Sequence, residues 1–310
     1  MSIENMKISV VLTTYNGEKY LPEQINSILN QTLKPDQLLI LDDCSTDGSV
    51  RLCETFTRPV RDIEIKIVKN AENKGWRANF MQGFGMAEGD LIFCADQDDI
   101  WDEHKIEKMA KVMLENKQIN ALCCNLTPLY HEGATKLAGY AVSNYGENRL
   151  EKVSLEKSGF KVLRPGCTMC FRSSMLGAVE KVWAAPLAHD EVIWAVALVT
   201  DSLYILNEPL IQFRRHGGNN SPSNEKKLAA RLDRARCAKI KMENLLSLSD
   251  ELNMPKSARD VCARTLKTAS QRVKAFENKS ILSALKILPS IRRKAALKSW
   301  IADVYTILKS

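Results

Sequence analysis

The segment Cys94-Ala95-Asp96-Gln97-Asp98-Asp99-Ile100-Trp101 places three carboxylates within four residues, directly after the apolar run Leu91-Ile92-Phe93-Cys94. Acids crowded at the mouth of a buried strand repel one another and resist desolvation, so they require a hard cation or a hydrogen-bond network. A divalent metal is the simplest neutraliser. In an extended segment Asp96 and Asp98 point to the same side with Asp99 just beyond, so two of the three can share one ion with a phosphate-bearing ligand. The competing reading is an acidic turn capping a helix that begins near Asp102, since Asp is a favoured N-cap.

The elements that must position these acids are legible as apolar, β-branched runs at 8–12, 38–41, 63–68, 91–94 and 119–124, separated by segments of helical periodicity. That alternation specifies an α/β fold with a mostly parallel sheet flanked by helices. The runs are continuous rather than alternating, as expected of strands covered on both faces. Leu21, Ile25, Ile28 and Leu29 stand at helix-face spacing, closed by Gln31-Thr32 before Pro35. Open α/β sheets bind ligands beyond the carboxyl ends of their strands. There the chain carries Thr13-Thr14-Tyr15-Asn16-Gly17, then Asp42-Asp43-Cys44-Ser45-Thr46-Asp47-Gly48, then residues 70–75, then the acidic cluster. Four strand ends thus converge on one crevice.

The 310 residues suffice for one large domain and an appendage. From about Glu225 the chain turns into Leu/Ile/Ala-rich helical stretches dense in Lys and Arg, and the turn-forming run Gly217-Gly218-Asn219-Asn220-Ser221-Pro222 marks a boundary between residues 1–220 and 221–310. Residues 221–310 hold 20 Lys+Arg against 8 Asp+Glu, so the net +7 belongs to the tail and the first part is acidic. No apolar stretch approaches the roughly 18 to 20 residues a spanning helix needs. The N-terminus runs through Glu4, Asn5 and Lys7 into a strand without a secretory pattern, which predicts a cytoplasmic protein or one peripheral to the inner face of a membrane. The nine cysteines lie mostly in apolar runs and read as reduced core thiols. Cys167-Thr168-Met169-Cys170 has redox or metal spacing, but no second pair follows at a zinc-ribbon interval.

Neither G-x-G-x-x-G nor G-x-x-x-x-G-K-[ST] occurs, which disfavours dinucleotide dehydrogenases and phosphate-loop ATPases. A nucleotide can instead be held by side chains. The succession of residues 9–17, Leu41-Asp42-Asp43-Cys44-Ser45-Thr46-Asp47-Gly48-Ser49, Asn70-Ala71-Glu72-Asn73-Lys74-Gly75 and Asp96-Gln97-Asp98-Asp99 resembles family-2 glycosyltransferases of the GT-A fold, over residues 7–220 approximately. Asp96-Gln97-Asp98-Asp99-Ile100-Trp101, Pro165-Gly166-Cys167-Thr168-Met169, His189-Asp190 and Arg215-His216-Gly217-Gly218-Asn219-Asn220-Ser221 resemble the rhamnosyltransferase-like branch.

The resemblance implies a catalytic domain over residues 1–220 that moves a sugar, rhamnose or another hexose, from a nucleoside diphosphate to a glycan or lipid-linked glycan acceptor with inversion. Thr13, Tyr15, Asp43 and Asn73 fall where such enzymes hold base and ribose; Asp43 can accept from a pyrimidine N–H and Tyr15 can stack on the base, favouring dTDP- or UDP-linked donors. Asp98 and Asp99 are the implied ligands of Mn²⁺ or Mg²⁺ on the donor diphosphate, with His216 completing the shell, Asp96 at the sugar or ribose, and Arg214 or Arg215 on the phosphates. Asp190 is the implied base, with Glu191 as the alternative. Gly166, Cys167, Thr168 and Trp194 fall on the acceptor side.

Two rivals use the same features. A sugar-1-phosphate nucleotidyltransferase would want a glycine-rich N-terminal loop with a basic pair, which is absent from the sequence. A non-catalytic nucleotide-sugar-binding protein would not need Asp99, Asp190 and His216 together. The tail is poor in aromatic residues and carries no nucleic-acid module, so no nucleic-acid partner is expected. Its apolar positions at 281–308 alternate with Lys286, Arg292, Arg293, Lys294, Lys298 and Lys309. That pattern suits an anionic membrane surface, packing on the catalytic domain, or a homodimer through the C-terminal helices.

Overall fold

The computed structural model describes residues 3–56, 63–131, 133–134, 150–217, 228–288 and 294–309. Residues 218–222 of the glycine-rich boundary, and Arg292 and Arg293, lie outside the described residues. The chain divides into two compact units, Met1–Glu180 with Ala188–Asn219, and Lys181–Leu187 with Asn220–Ser310.

The first unit runs β1 (Ile8–Thr14), α1 (Leu21–Leu29), β2 (Gln37–Asp42), α2 (Ser49–Thr55), β3 (Glu64–Lys69), α3 (Trp76–Phe84), β4 (Leu91–Asp96) and β5 (Ile100–Trp101). It continues through α4 (Lys105–Glu115), β6 (Ala121–Tyr130), β7 (Leu150–Lys152), α5 (Leu155–Ser158), β8 (Met169–Arg172), α6 (Leu176–Val182), which crosses into the second unit, α7 (His189–Val199) and β9 (Leu203–Arg215). The sheet order is β3-β2-β1-β4-β8-β6-β9-β5, with β7 paired to β9. Strands β3, β2, β1 and β4 are parallel neighbours. Every residue of β1 and β2 is buried, because helices cover both faces, and this is why those strands read as unbroken apolar runs. Strand β3 lies at the sheet's edge and alternates in exposure. Helix α1 buries Leu21, Ile25 and Ile28 along one stripe, each worth about 1.5–3 kcal/mol of apolar transfer.

The five-run expectation needs two additions. Strand β8 wedges between β4 and β6 and is antiparallel to both, and the 13-residue β9 lies parallel to β6. A four-residue strand is too short to declare a period, so the Cys167–Cys170 spacing reads as a motif when its last two residues are sheet. All nine cysteines are free thiols.

Register sets the site. Thr13 sits beside Asp96, Thr14 beside Asp42, and Asp42 beside Lys69, so the carboxyl ends of β1, β2, β3 and β4 finish level with one another.

The second unit contains α8 (Leu228–Ser247), α9 (Lys256–Glu277), α10 (Ile281–Leu285) and α11 (Lys294–Leu308). Its core is built on Ala235, Ala275, Phe276, Ala284 and Ile307. Asp303, 3% exposed, takes Arg231 at 2.6 Å and Arg272 at 2.8 and 3.1 Å, tying α11 to α8 and α9. Among the described residues no helix is long and apolar enough to cross a membrane.

Candidate active site

The loops after β1 and β2 are laced together by side chains on main chain. Ser45 Oγ accepts from Asn16 N at 2.9 Å, Asn16 Oδ1 from Thr46 N at 2.8 Å, and Ser49 Oγ from Gly17 N at 2.9 Å. Gln97, in the middle of the acidic segment, accepts from both Thr14 Oγ1 and Tyr15 N at 2.8 Å. A Cβ on Gly17 would stand 2.4 Å from Gln97 Oε1 and 2.7 Å from Thr14 Oγ1, so a larger residue there would displace the side chains that join the first loop to the fourth strand end. Gln97 is a residue that sequence reasoning passes over, because its two partners lie 82 and 83 positions away. Thr13 is buried beside Asp96, whereas the Tyr15 side chain is 45% exposed above this scaffold.

Asp43 is committed to the loop after β3. Its Oδ1 accepts from Asn70 Nδ2 at 3.0 Å and Lys74 N at 2.9 Å, and its Oδ2 from Gly75 N at 2.8 Å. Two carboxylate oxygens offer about four acceptor positions, so one on Oδ2 stays available among the described residues. Gly75 has φ +82°, a left-handed conformation suited to glycine. Asn73 is exposed and accepts from Gly75 N at 3.0 Å, which places it at the same turn.

The acids divide into two groups. Asp98 Oδ2 lies 2.9 Å from His216 Nε2, both side chains being mostly buried. Asp96, Asp99 and Cys167 offer ligand atoms within 4.8 Å of one another. Asp99 is fully buried; its Oδ1 accepts from Arg214 N at 3.0 Å while Oδ2 has no hydrogen-bond partner. Burial, then the neighbouring Asp98 and Asp96 charges, push the Asp99 carboxyl well above its usual range. Burial, with Asp98 and Asp190, pushes Asp96 up to about 7. These acids do not cap the next helix: α4 begins at Lys105, and it is Asp102 Oδ1 that accepts from His104 N at 3.0 Å.

The donor set suits a hard divalent cation. Two ligands of one octahedral ion at about 2.1 Å stand about 3 Å apart, close to the Asp98–His216 separation. The orphaned Asp99 Oδ2 and the raised Asp96 and Asp99 carboxyls mark a local excess of negative charge. The Cys167 thiol is held well above its usual range by burial and the two acids, so it stays protonated and is a poor partner for a hard ion. Lys105, fully buried, supplies part of the balance; its Nζ donates to Cys167 O at 2.7 Å and lies 3.6 Å from the Trp101 ring centroid.

Several assigned residues take other roles here. Arg214 is a brace rather than a projecting phosphate ligand: Nε donates to Asp98 O at 2.7 Å, one terminal nitrogen meets His131 Nε2 at 2.6 Å, the other pairs with Glu23, and the guanidinium stacks over Tyr20. Arg215 is buried near the Phe213 ring. Thr168 and Trp194 are fully buried, and Thr168 Oγ1 donates to Pro165 O at 2.7 Å, so both have packing roles rather than a surface an acceptor could touch. Cys167 belongs with the acids.

At the start of α7 the N-cap is Ala188, and Asp190 sits in the first turn, accepting from Glu191 N at 2.8 Å. Asp190, from a segment 94 positions away, is among the charges that raise the Asp96 carboxyl, after burial and Asp98. Glu191 is partly exposed on the same turn. His189 turns inward, stacked on Phe80 at 3.8 Å and edge-on to Trp76 and Phe84, with neither ring nitrogen hydrogen-bonded. Burial, then Arg77, push its pKa down to about 3. A Cβ on Gly166 would meet His189 Nε2 at 2.6 Å and Asp190 Cβ at 3.2 Å, so this glycine lets the turn before β8 approach the helix that carries Asp190.

A family model for glycosyl transferase family 2 matches residues 9–176. The chain belongs to this family. It is 29% identical over 228 residues to an uncharacterized glycosyltransferase, alr2836, of Nostoc sp., a match spanning 70% of this chain and 67% of that protein. It is 28% identical over 225 residues to dTDP-rhamnosyl transferase RfbG of Shigella flexneri, spanning 69% of this chain and 74% of that one. Among solved structures it is similar to S. aureus TarS 1-349 in complex with UDP-GlcNAc, with TM-score 0.62, 18% identity, and 98% and 91% of the two chains covered. Mannosyltransferase PcManGT from Pyrobaculum calidifontis, in complex with GDP-Man and Mn²⁺, gives TM-score 0.50 at 14% identity over 98% and 84%. These likenesses show the GT-A fold, and the family match shows that the chain is a glycosyltransferase.

Proposed function

We propose that this glycosyltransferase moves a hexose or deoxyhexose, with inversion, from a dTDP- or UDP-linked donor to a glycan or lipid-linked glycan acceptor. The observation that supports the reading is that Asp190 packs against Gly166, where an added Cβ would stand 3.2 Å from Asp190 Cβ, while the adjoining Cys167 lies with Asp96 and Asp99, whose ligand atoms fall within 4.8 Å of one another. Asp190 takes the proton of the acceptor hydroxyl; that oxygen bonds to the anomeric carbon as the bond from the carbon to the donor phosphate breaks, and the nucleoside diphosphate leaves. A single displacement of this kind inverts the centre. Asp190 is preferred over Glu191 as the base because its side chain begins beside Gly166, next to the Cys167 that joins the acids.

Tyr15 stacks on the base, and the remaining acceptor position of Asp43 Oδ2 meets a pyrimidine N–H, with Thr13 and Asn73 beside it. Asp98 and His216 would hold Mn²⁺ or Mg²⁺, with Asp96 and Asp99 adding negative charge; the cation, when bound, neutralises the departing diphosphate. The rhamnosyl reading of the donor rests on the similarity to RfbG. Asp190→Asn preserves shape and removes the base, so turnover should fall by roughly 10² to 10⁴ while donor affinity measured by calorimetry stays level. If Glu191→Gln behaves that way and Asp190→Asn does not, Glu191 is the base.

A further inference from the structure

Helix α11 is inverted relative to an ordinary surface helix. It buries Asp303 and Thr306 beside Ile307, while Leu297, Ile301, Tyr305 and Leu308 are exposed, the last three at 54%, 55% and 64%. Spacings of four, four and three residues put those four side chains on one stripe. Helix α10 and the residues after it repeat the arrangement, burying Ala284 and Ile287 while Leu282, at 76%, and Leu285 stay exposed. The inward faces are fixed: Asp303 is clamped by Arg231 and Arg272, and the Trp300 indole donates to Ala284 O at 2.7 Å. Of the ten large hydrophobic side chains exposed among the described residues, eight lie on these two segments, so the exposure is local and not general.

Charge decides what covers the stripes. Residues 279–310 contain seven Lys and Arg against one acid, Asp303, which is spent on its two arginines. Lys286, Lys298 and Lys309 are exposed beside the apolar side chains. A symmetric contact with a second copy would press these like charges together. The 15 residues of α11 reach about 22 Å, short of the roughly 30 Å hydrocarbon core, so the helix cannot span a bilayer. We propose that the outward faces of α10 and α11 dock on an anionic lipid surface, with the apolar stripes entering the headgroup boundary and the lysines meeting lipid phosphates. This stands apart from the transfer reaction and does not rest on it.

The test is co-sedimentation of the full chain with phosphatidylcholine vesicles, with and without phosphatidylglycerol, alongside light scattering of the protein alone. Expected are binding to the anionic vesicles at low salt, at least about tenfold weaker binding to neutral ones, and release at about 0.5 M salt. Ile301→Glu with Leu308→Glu should abolish sedimentation and leave the melting temperature unchanged, since both side chains are exposed. Should that pair disturb folding, Lys298→Glu with Lys309→Glu should lower binding at least about tenfold. No binding at low salt, equal binding to neutral vesicles, or a stable dimer dissolved by Ile301→Glu would each overturn the proposal.

Discussion

Asp303 and Asp99 are both buried carboxylates, one in each unit, and their surroundings are opposite. Asp303 receives three charge-assisted bonds from two arginines, and the helices of its unit are held by that arrangement. Asp99 receives one backbone N–H and, among the described residues, has only the weakly donating Cys167 thiol besides; its Oδ2 makes no hydrogen bond of normal geometry, and Asp96 and Asp98 are its charged neighbours. A buried charge kept for stability is matched; an unmatched one costs free energy and persists where a ligand completes it. The comparison predicts that removing the first acid damages the fold, and that removing acids from the second cluster damages only the activity.

The largest expected effect is on chemistry. Asp98→Ala breaks the pair with His216 and should lower turnover on the order of 10³-fold, with loss of Mn²⁺-dependent donor binding and an unchanged circular dichroism spectrum. Turnover that persists at full rate in EDTA would remove the metal from the account. Next comes Asp303→Ala, which strands Arg231 and Arg272 and should cost roughly 3–5 kcal/mol in denaturant unfolding while the activity per folded molecule holds. A loss below about 1 kcal/mol would mean that solvent satisfies the two arginines. Asp99→Asn keeps an acceptor for Arg214 N and removes a carboxyl that its crowded, buried site discourages from ionising, so stability in the absence of metal should stay level or rise by about 1 kcal/mol while transfer falls. Destabilisation comparable to that of Asp303→Ala would erase the distinction between the two acids.

How much of this was legible in sequence follows the same division between local and distant information. β1, β2 and β4 announce themselves because burial on both faces leaves mostly apolar residues in their middles, and the polar residues at and after their ends mark the crevice. The pairing of Asp98 with His216 spans 118 positions and was reachable only through family resemblance, since no local pattern encodes it. Arg214 as a brace, Cys167 beside the acids and the capture of Asp43 by the loop after β3 depend on tertiary placement, and so do the packing roles of Thr168 and Trp194. The inverted face of α11 is half legible: its periodicity is plain, but which side faces out depends on where Arg231 and Arg272 lie, 72 and 31 positions away.

His189 gives the smallest effect and sharpens the contrast with a third kind of buried ionisable group, one kept neutral and left without partners. Its pKa is pushed from 6.5 to about 3 by burial and by Arg77. The unfolded chain therefore takes up a proton that the folded chain refuses, and stability contributed at neutral pH is lost as pH falls below about 6.5, with a slope approaching 1.4 kcal/mol per pH unit. Asp96 works in the opposite sense: its carboxyl, raised from 3.8 to about 7, costs stability as pH rises across that interval. Total stability against pH mixes the two, so the informative quantity is the difference between wild type and His189→Leu. That difference cancels Asp96 and the cavity cost, and should grow in favour of the variant from pH 6.5 down to pH 4, measured as urea midpoints. A flat difference would mean that His189 charges within the fold, with a partner found for one of its nitrogens.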